Sequence, residues 1–201
     1  MKETTSDTKS QIFNTALRLF AENGYENVSV RDIAKAVGIK AASIYNHFEN
    51  KEQILEACYA FYLKNRNILK LNREQYEPIV RSGTKKDFMN IFNYSWEASI
   101  HENMFFALLI VYSRVYTDTR AREIYASEIS ASMQYLKEVF DYGIEIGRLD
   151  NFNVPTVSLI VLSTRLFAAH SATITTEQKA EWHNAQVDFM NELVRIVPFK
   201  Y

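Results

Sequence analysis

The sequence predicts an all-α fold. Only five glycines and three prolines interrupt its 201 residues, apolar residues recur at helical spacing along most of the chain, and no run sustains the two-residue alternation of a strand. A composition 47% hydrophobic and 23% charged excludes a disordered or low-complexity chain. A chain of this length buries roughly 70% of the surface it exposes when unfolded, so neither disulfides nor a structural metal are needed. Cys58 is the lone cysteine and can complete neither an internal disulfide nor a CxxC site, which fits a reducing, cytoplasmic setting. The longest apolar run, Met104 to Tyr112, is nine residues, well short of the ~20 that span a bilayer. Together with a polar start at Met1-Lys2-Glu3-Thr4-Thr5-Ser6-Asp7, this leads us to expect no membrane partner and no secretory signal.

The first helix is marked by Phe13, Ala16, Leu17 and Phe20 at i, i+3, i+4 and i+7, and Asn23-Gly24 supplies a left-handed stop. The second repeats the pattern with Val30, Ile33, Ala34 and Val37. Ser29 is its N-cap, Asp32 lies in its first turn, and Gly38 ends it. A third, short helix is expected from about 41 to 48, with Ile44 and Phe48 on its inward face. A long helix is predicted over 52–71, followed by a polar stretch around Glu74-Gln75-Tyr76-Glu77-Pro78 and Ser82-Gly83-Thr84. Further helices are predicted at 85–101, 103–116, 119–147, 154–173 and 177–197. The chain thus reads as a trihelical head over residues 1–51 and a helical body over 52–201.

Helix, glycine-containing turn and short helix make a helix-turn-helix arrangement. With Ile44 and Phe48 turned inward, Ala41, Ala42, Ser43, Tyr45, Asn46 and His47 face outward. Each is small or carries a hydrogen-bonding tip, and none is the carboxylate that a phosphate would repel. Net charge is −1 over the chain, yet between residues 28 and 48 Arg31, Lys35 and Lys40 oppose only Asp32. Any nucleic-acid signal is therefore local.

Three stretches carry a resemblance. They are Ala16-Leu17-Arg18-Leu19-Phe20-Ala21-Glu22-Asn23-Gly24-Tyr25, Ser29-Val30-Arg31-Asp32-Ile33-Ala34-Lys35-Ala36-Val37-Gly38, and Ser43-Ile44-Tyr45-Asn46-His47-Phe48-Glu49-Asn50-Lys51-Glu52. With their spacing they make residues 12–55 resemble the N-terminal domain of the tetracycline-repressor (TetR) family of bacterial transcription regulators. The resemblance implies a helix-turn-helix DNA-binding head and a C-terminal ligand-binding and dimerisation body. It also implies a homodimer on a palindromic double-stranded operator, probed by two recognition helices a helical turn apart. Carried over position by position, Val30 and Arg31 meet the backbone and groove edge. Ala41, Ala42, Ser43, Tyr45 and Asn46 face the groove, and Tyr45, His47 and Lys51 match phosphate-gripping positions. Lys40 is within reach of a guanine or a phosphate, and Asn46 suits bidentate pairing with adenine.

In the body, 154–173 is apolar on nearly every side, and 177–197 carries the stripe Phe189, Met190, Leu193, Val194 and Val197. A helix apolar all round must be buried on two faces. The family's two-helix subunit interface would supply the second. The aromatic middle helices suggest a site for a small apolar or aromatic effector, with Trp96, Tyr112, Tyr116 and Phe167 as its lining. No cofactor is called for. An enzyme is the weaker alternative, since His101-Glu102 lacks a second histidine at Phe105 and no nucleophile-elbow or nucleotide-binding glycine motif is present. A protein-binding adaptor is the other.

Overall fold

A computed structural model describes residues 5–92, 99–171, 188, 192 and 197–200. Among them the elements are α1 (Thr5–Asn23), α2 (Val30–Val37), α3 (Ala41–Ile44), α4 (Lys51–Asn65), α5 (Arg73–Ser82), α6 (Lys85–Asn90), α7 (Ser99–Arg114), α8 (Thr119–Glu145) and α9 (Val154–Ser171), with short 3-10 turns at Tyr25–Asn27 and Arg66–Leu69. The described residues form no strand, only a single antiparallel bridge between Leu149 and Phe199. The all-α expectation holds. No described helix is long and apolar enough to cross a membrane.

The chain divides into two compact units, Met1–Arg66 with Trp96–Tyr125 and Asn67–Ser95 with Ala126–Tyr201. In the first, α1 buries Ile12, Ala16, Leu17 and Phe20, while Phe13 stays half-buried with its ring 5.4 Å from Phe61. α7 packs against both α1 and α4, and α2 packs against α1 and α3. Helix α4 contributes the buried Ile54, Leu55, Cys58, Tyr59 and Tyr62. Burial pushes the Cys58 thiol up to about 12, so it is a packing residue with almost no thiolate character. The functional division expected after Lys51 does not coincide with this packing division, because α4 and α7 share the apolar faces around α1.

The second unit is organised by aromatic rings. Phe140 of α8 lies 5.9 Å from Phe88, 5.1 Å from Phe92 and 5.3 Å from Phe152, and Phe199 closes on Phe88 at 5.1 Å. Val154, Val157, Val161 and Leu162 of α9 join the same core, as does Val197. The C-terminal residues are stapled down by Asp150 N–H donating to Pro198 O at 2.8 Å and Lys200 N–H donating to Arg148 O at 3.0 Å.

Several boundaries differ from expectation. The stretch read as a polar connection after residue 72 is helix α5. Asn72 accepts from the Gln75 N–H and Gln75 Oε1 accepts from the Asn72 N–H, a capping box that offsets the hydrogen bond Pro78 cannot donate. Tyr76 and Val80 then anchor the helix in the core. The helix expected over 52–71 stops at Asn65 and tightens into the 3-10 turn Arg66–Leu69, a common way for a helix to finish. Helix α6 ends at Asn90, shorter than the expected 85–101. α8 and α9 fall within two residues of expectation. The helix expected at 177–197 lies outside the described residues except at three positions.

Candidate nucleic-acid interface

The turn of the head is built from local backbone chemistry. Ser29 Oγ accepts from the Asp32 N–H at 3.2 Å while Asp32 Oδ2 accepts from the Ser29 N–H at 2.8 Å. This reciprocal cap holds the Asp32 carboxyl below its ordinary range through the Ser29 hydrogen bonds. At the other end Gly38 takes φ 82, ψ 26. Ile39 N–H reaches back to Ala34 O at 3.0 Å and Gly38 N–H to Lys35 O at 3.2 Å, the paired bonds of a Schellman stop. Lys40 is extended, at φ −72, ψ 142, and launches α3 without a side-chain cap. The helix proper is four residues long. Its tail continues as turns in which His47 and Phe48 N–H both donate to Ile44 O, at 2.9 and 3.0 Å.

This geometry sorts the third segment as its sequence implied. Ile44 and Phe48 are buried at 1% and 4% exposure. Ala42, Tyr45 and Asn46 are exposed, and Ala41, Ser43 and His47 are half-buried. Tyr45, the one large ring among them, is 55% exposed and so does not serve the core. Arg31 and Lys40 are exposed, with Val30 half-buried beside them at the start of α2. The Asn46 side chain stands in the turn after α3 rather than on the α-helix itself.

Lys51 is held in place. Its Nζ donates to Tyr25 O at 3.0 Å and lies 4.0 Å from the centroid of the Tyr25 ring. An ammonium carries three donors, so this leaves capacity for a further acceptor. Tyr25 also donates its hydroxyl to Glu52 Oε2 at 2.7 Å. Burial, followed by that bond, raises its phenol above the ordinary range. Two further cations were invisible to periodicity. Lys9 of α1 lies 5.2 Å from the Phe48 ring centroid, and Arg114, at the end of α7, stacks 4.4 Å from the Tyr25 ring. No sequence pattern links either to the turn, because their partners lie on other elements.

The expected effector residues fare unevenly. Tyr112 is half-buried and packs edge-on against Tyr125 with centroids 5.1 Å apart. Tyr116 is a correction. It is 89% exposed, because the chain leaves α7 at Arg114 and enters a turn before Tyr116 is reached, so it encloses nothing within its unit. Trp96 lies outside the described residues, and Phe167 is described as a position on α9 only.

A capped helix, a left-handed glycine turn and a short helix with an acid-free outer face define a helix-turn-helix protein. Residues 12–58 match the family model for bacterial regulatory proteins of the tetR family. Among curated relatives, the biofilm operon icaADBC HTH-type negative transcriptional regulator IcaR of Staphylococcus aureus (strain Newman) is 41% identical over 71 residues. That match covers 34% of this chain and 38% of the relative. The chain thus spans little more than a third of the length of the curated relatives it matches. Among solved structures, a TetR-family transcriptional regulator from Cytophaga hutchinsonii superposes over 100% of both chains with TM-score 0.68 and 18% identity. A transcriptional regulator from Saccharomonospora viridis, solved in complex with choline, covers 98% of this chain and 100% of its own with TM-score 0.69 and 16% identity. At these identities the two structures establish a shared fold.

Proposed function

We propose that this chain is a DNA-binding transcriptional regulator that acts as a homodimer on a palindromic operator and represses until a small molecule releases it. The observation that carries the reading is the outward face of residues 41–47. It is partly or fully exposed throughout, free of carboxylates and set on a capped turn, within residues 12–58 that match the tetR family model. Val30, Arg31, Lys40, Ala41, Ala42, Ser43, Tyr45, Asn46, His47 and Lys51 make up the proposed contact set. Lys51, His47 and Tyr45 would fix register on phosphates, and Asn46 would read a base edge. DNA binding is assigned to residues 1–51, and effector binding and dimerisation to 52–201.

The proposed subunit interface lies along 154–173 and 177–197. Leu159, 57% exposed on α9 beside the buried Val157, Val161 and Leu162, supports a second covering for that helix. The effector is proposed to be a small apolar or aromatic molecule held in the helical body, with Tyr112 in its lining and Tyr116 no longer included. The Saccharomonospora viridis regulator's choline complex supports a small molecule as the class of effector. Selection from a random-sequence duplex pool followed by gel shift tests the function. A palindromic consensus bound in a salt-sensitive way is expected, and no retained duplex at low salt would refute it.

A further inference from the structure

Around Lys51 the first unit gathers an unusual number of charges. Glu26 and Glu52 are its nearby carboxylates, and by Coulomb attraction alone either would draw the ammonium into an ion pair. Neither does. Arg114 Nη1 donates to Glu26 Oε1 at 2.9 Å, and the Tyr25 hydroxyl occupies Glu52 at 2.7 Å. Lys51 is left on the Tyr25 carbonyl and ring face. The Glu26 carboxyl sits below its ordinary range, chiefly because of the Arg114 hydrogen bond, and the Lys51 charge adds to the pull. That addition places Lys51 within electrostatic reach of Glu26 although the two are not paired.

Arg114 is itself well anchored. Its side chain is only 12% exposed, against 74% for Glu26. Its Nε donates to Asp118 Oδ2 at 3.3 Å. That carboxylate also accepts from the Tyr59 hydroxyl at 2.9 Å, and its Oδ1 accepts from the Arg120 N–H at 2.8 Å at the start of α8. The guanidinium is thus fixed from α4, α7 and α8, while its far end reaches the 3-10 turn that leads into the helix-turn-helix.

We infer that Arg114 is a positioning residue for the nucleic-acid interface: it occupies Glu26 and braces Tyr25, so that the Lys51 ammonium stays out of an internal ion pair and open to a phosphate. The inference rests on the reading of Lys51 as a phosphate contact. Without Arg114, Glu26 is an unpaired carboxylate beside Lys51 that competes for the ammonium and withdraws it from the phosphate.

The test uses the full chain and two duplexes, one selected on the wild-type protein and one unrelated in sequence. Arg114→Ala is expected to weaken both about tenfold, the scale of one charged hydrogen bond, and to flatten the log–log salt dependence by about one unit per subunit. Adding Glu26→Gln should recover most of that loss, because the competing charge is gone. Arg114→Ala in a Lys51→Ala background should cost nothing more. Arg114→Gln, which keeps the stem, carries the same comparison if the alanine variant unfolds on heating at a much lower temperature. A loss that Glu26→Gln does not rescue, additivity with Lys51→Ala, or wild-type affinity in both Arg114 variants would each overturn the role while leaving DNA binding standing. A wild-type protein that binds neither duplex at low salt would instead remove the DNA-binding reading, and this inference with it.

Discussion

Asn46 and Lys51 are two polar side chains of the head for which we propose different work. The Asn46 amide is exposed on the outer face of the turn. It has a donor and an acceptor side by side, the pattern that pairs with the major-groove edge of adenine. Asn46→Ala is expected to relax discrimination at one base position by roughly 1–3 kcal/mol, measured by competing single-base operator variants. An equal loss on every variant would count against base reading. Lys51 offers charge without a directional pattern, and its tether to Tyr25 limits the conformational entropy lost on binding. Lys51→Ala should therefore weaken binding to all sequences alike and lower the salt slope by about one unit per subunit, as read from titrations at several salt concentrations. The candidate contacts at 30–51 were legible in the sequence because capping and inward–outward sorting are local. Lys9 and Arg114 were not, since each meets its partner across elements.

At the scale of the element, the turn between α2 and α3 depends on the left-handed backbone of Gly38. Gly38 has open space around its Cα but sits at φ +82, so the cost of a side chain there is conformational rather than steric. Gly38→Ala is expected to destabilise the fold by about 1–2 kcal/mol, with a matching fall in the unfolding midpoint in denaturant. Unchanged stability would mean the turn can be made another way. Helix α5 illustrates the opposite case. Its capping signature Asn72…Gln75 is written in the sequence, yet Glu74, Glu77 and Pro78 make the segment look like a connection. Tyr76, Ile79 and Val80 do stand at helical spacing, but they span little more than one turn and give too short a pattern to outweigh the proline. What makes it a helix is the core that receives the Tyr76 and Val80 side chains, which is a tertiary circumstance. Conversely, the α-helical part of α3 is shorter than its polar–apolar pattern implies, because after Ile44 the chain tightens into turns in which the Asn46 and His47 N–H groups donate to the Ser43 and Ile44 carbonyls three residues back.

For the whole molecule, the proposed mechanism needs two copies. Leu159 presents a large apolar side chain to solvent from a helix that buries Val157, Val161 and Leu162, a cost that a second subunit would offset. Sedimentation should find a dimer at micromolar concentration, and Leu159→Asp should shift it toward monomer and weaken operator binding together. A monomeric wild-type protein would refute the interface. Relief of repression then becomes a shift in population, in which an effector favours a dimer whose recognition helices are wrongly spaced. A coupling of about 1–3 kcal/mol corresponds to a fall in operator affinity of ~5–150-fold.

From residue order alone come the all-α class, the capped second helix, the glycine stop at Gly38 and the polar outer face of residues 41–47. These depend on interactions between residues one to four positions apart, whose signals are carried by neighbouring letters. Packing settled the helical state of 73–82, the solvent exposure of Tyr116 and the assembly of Arg114 with Glu26 and Tyr25. The Arg114–Glu26 bond joins residues 88 positions apart, and ion pairs at that separation leave no periodic trace. They come into being only when the fold has brought the two elements together.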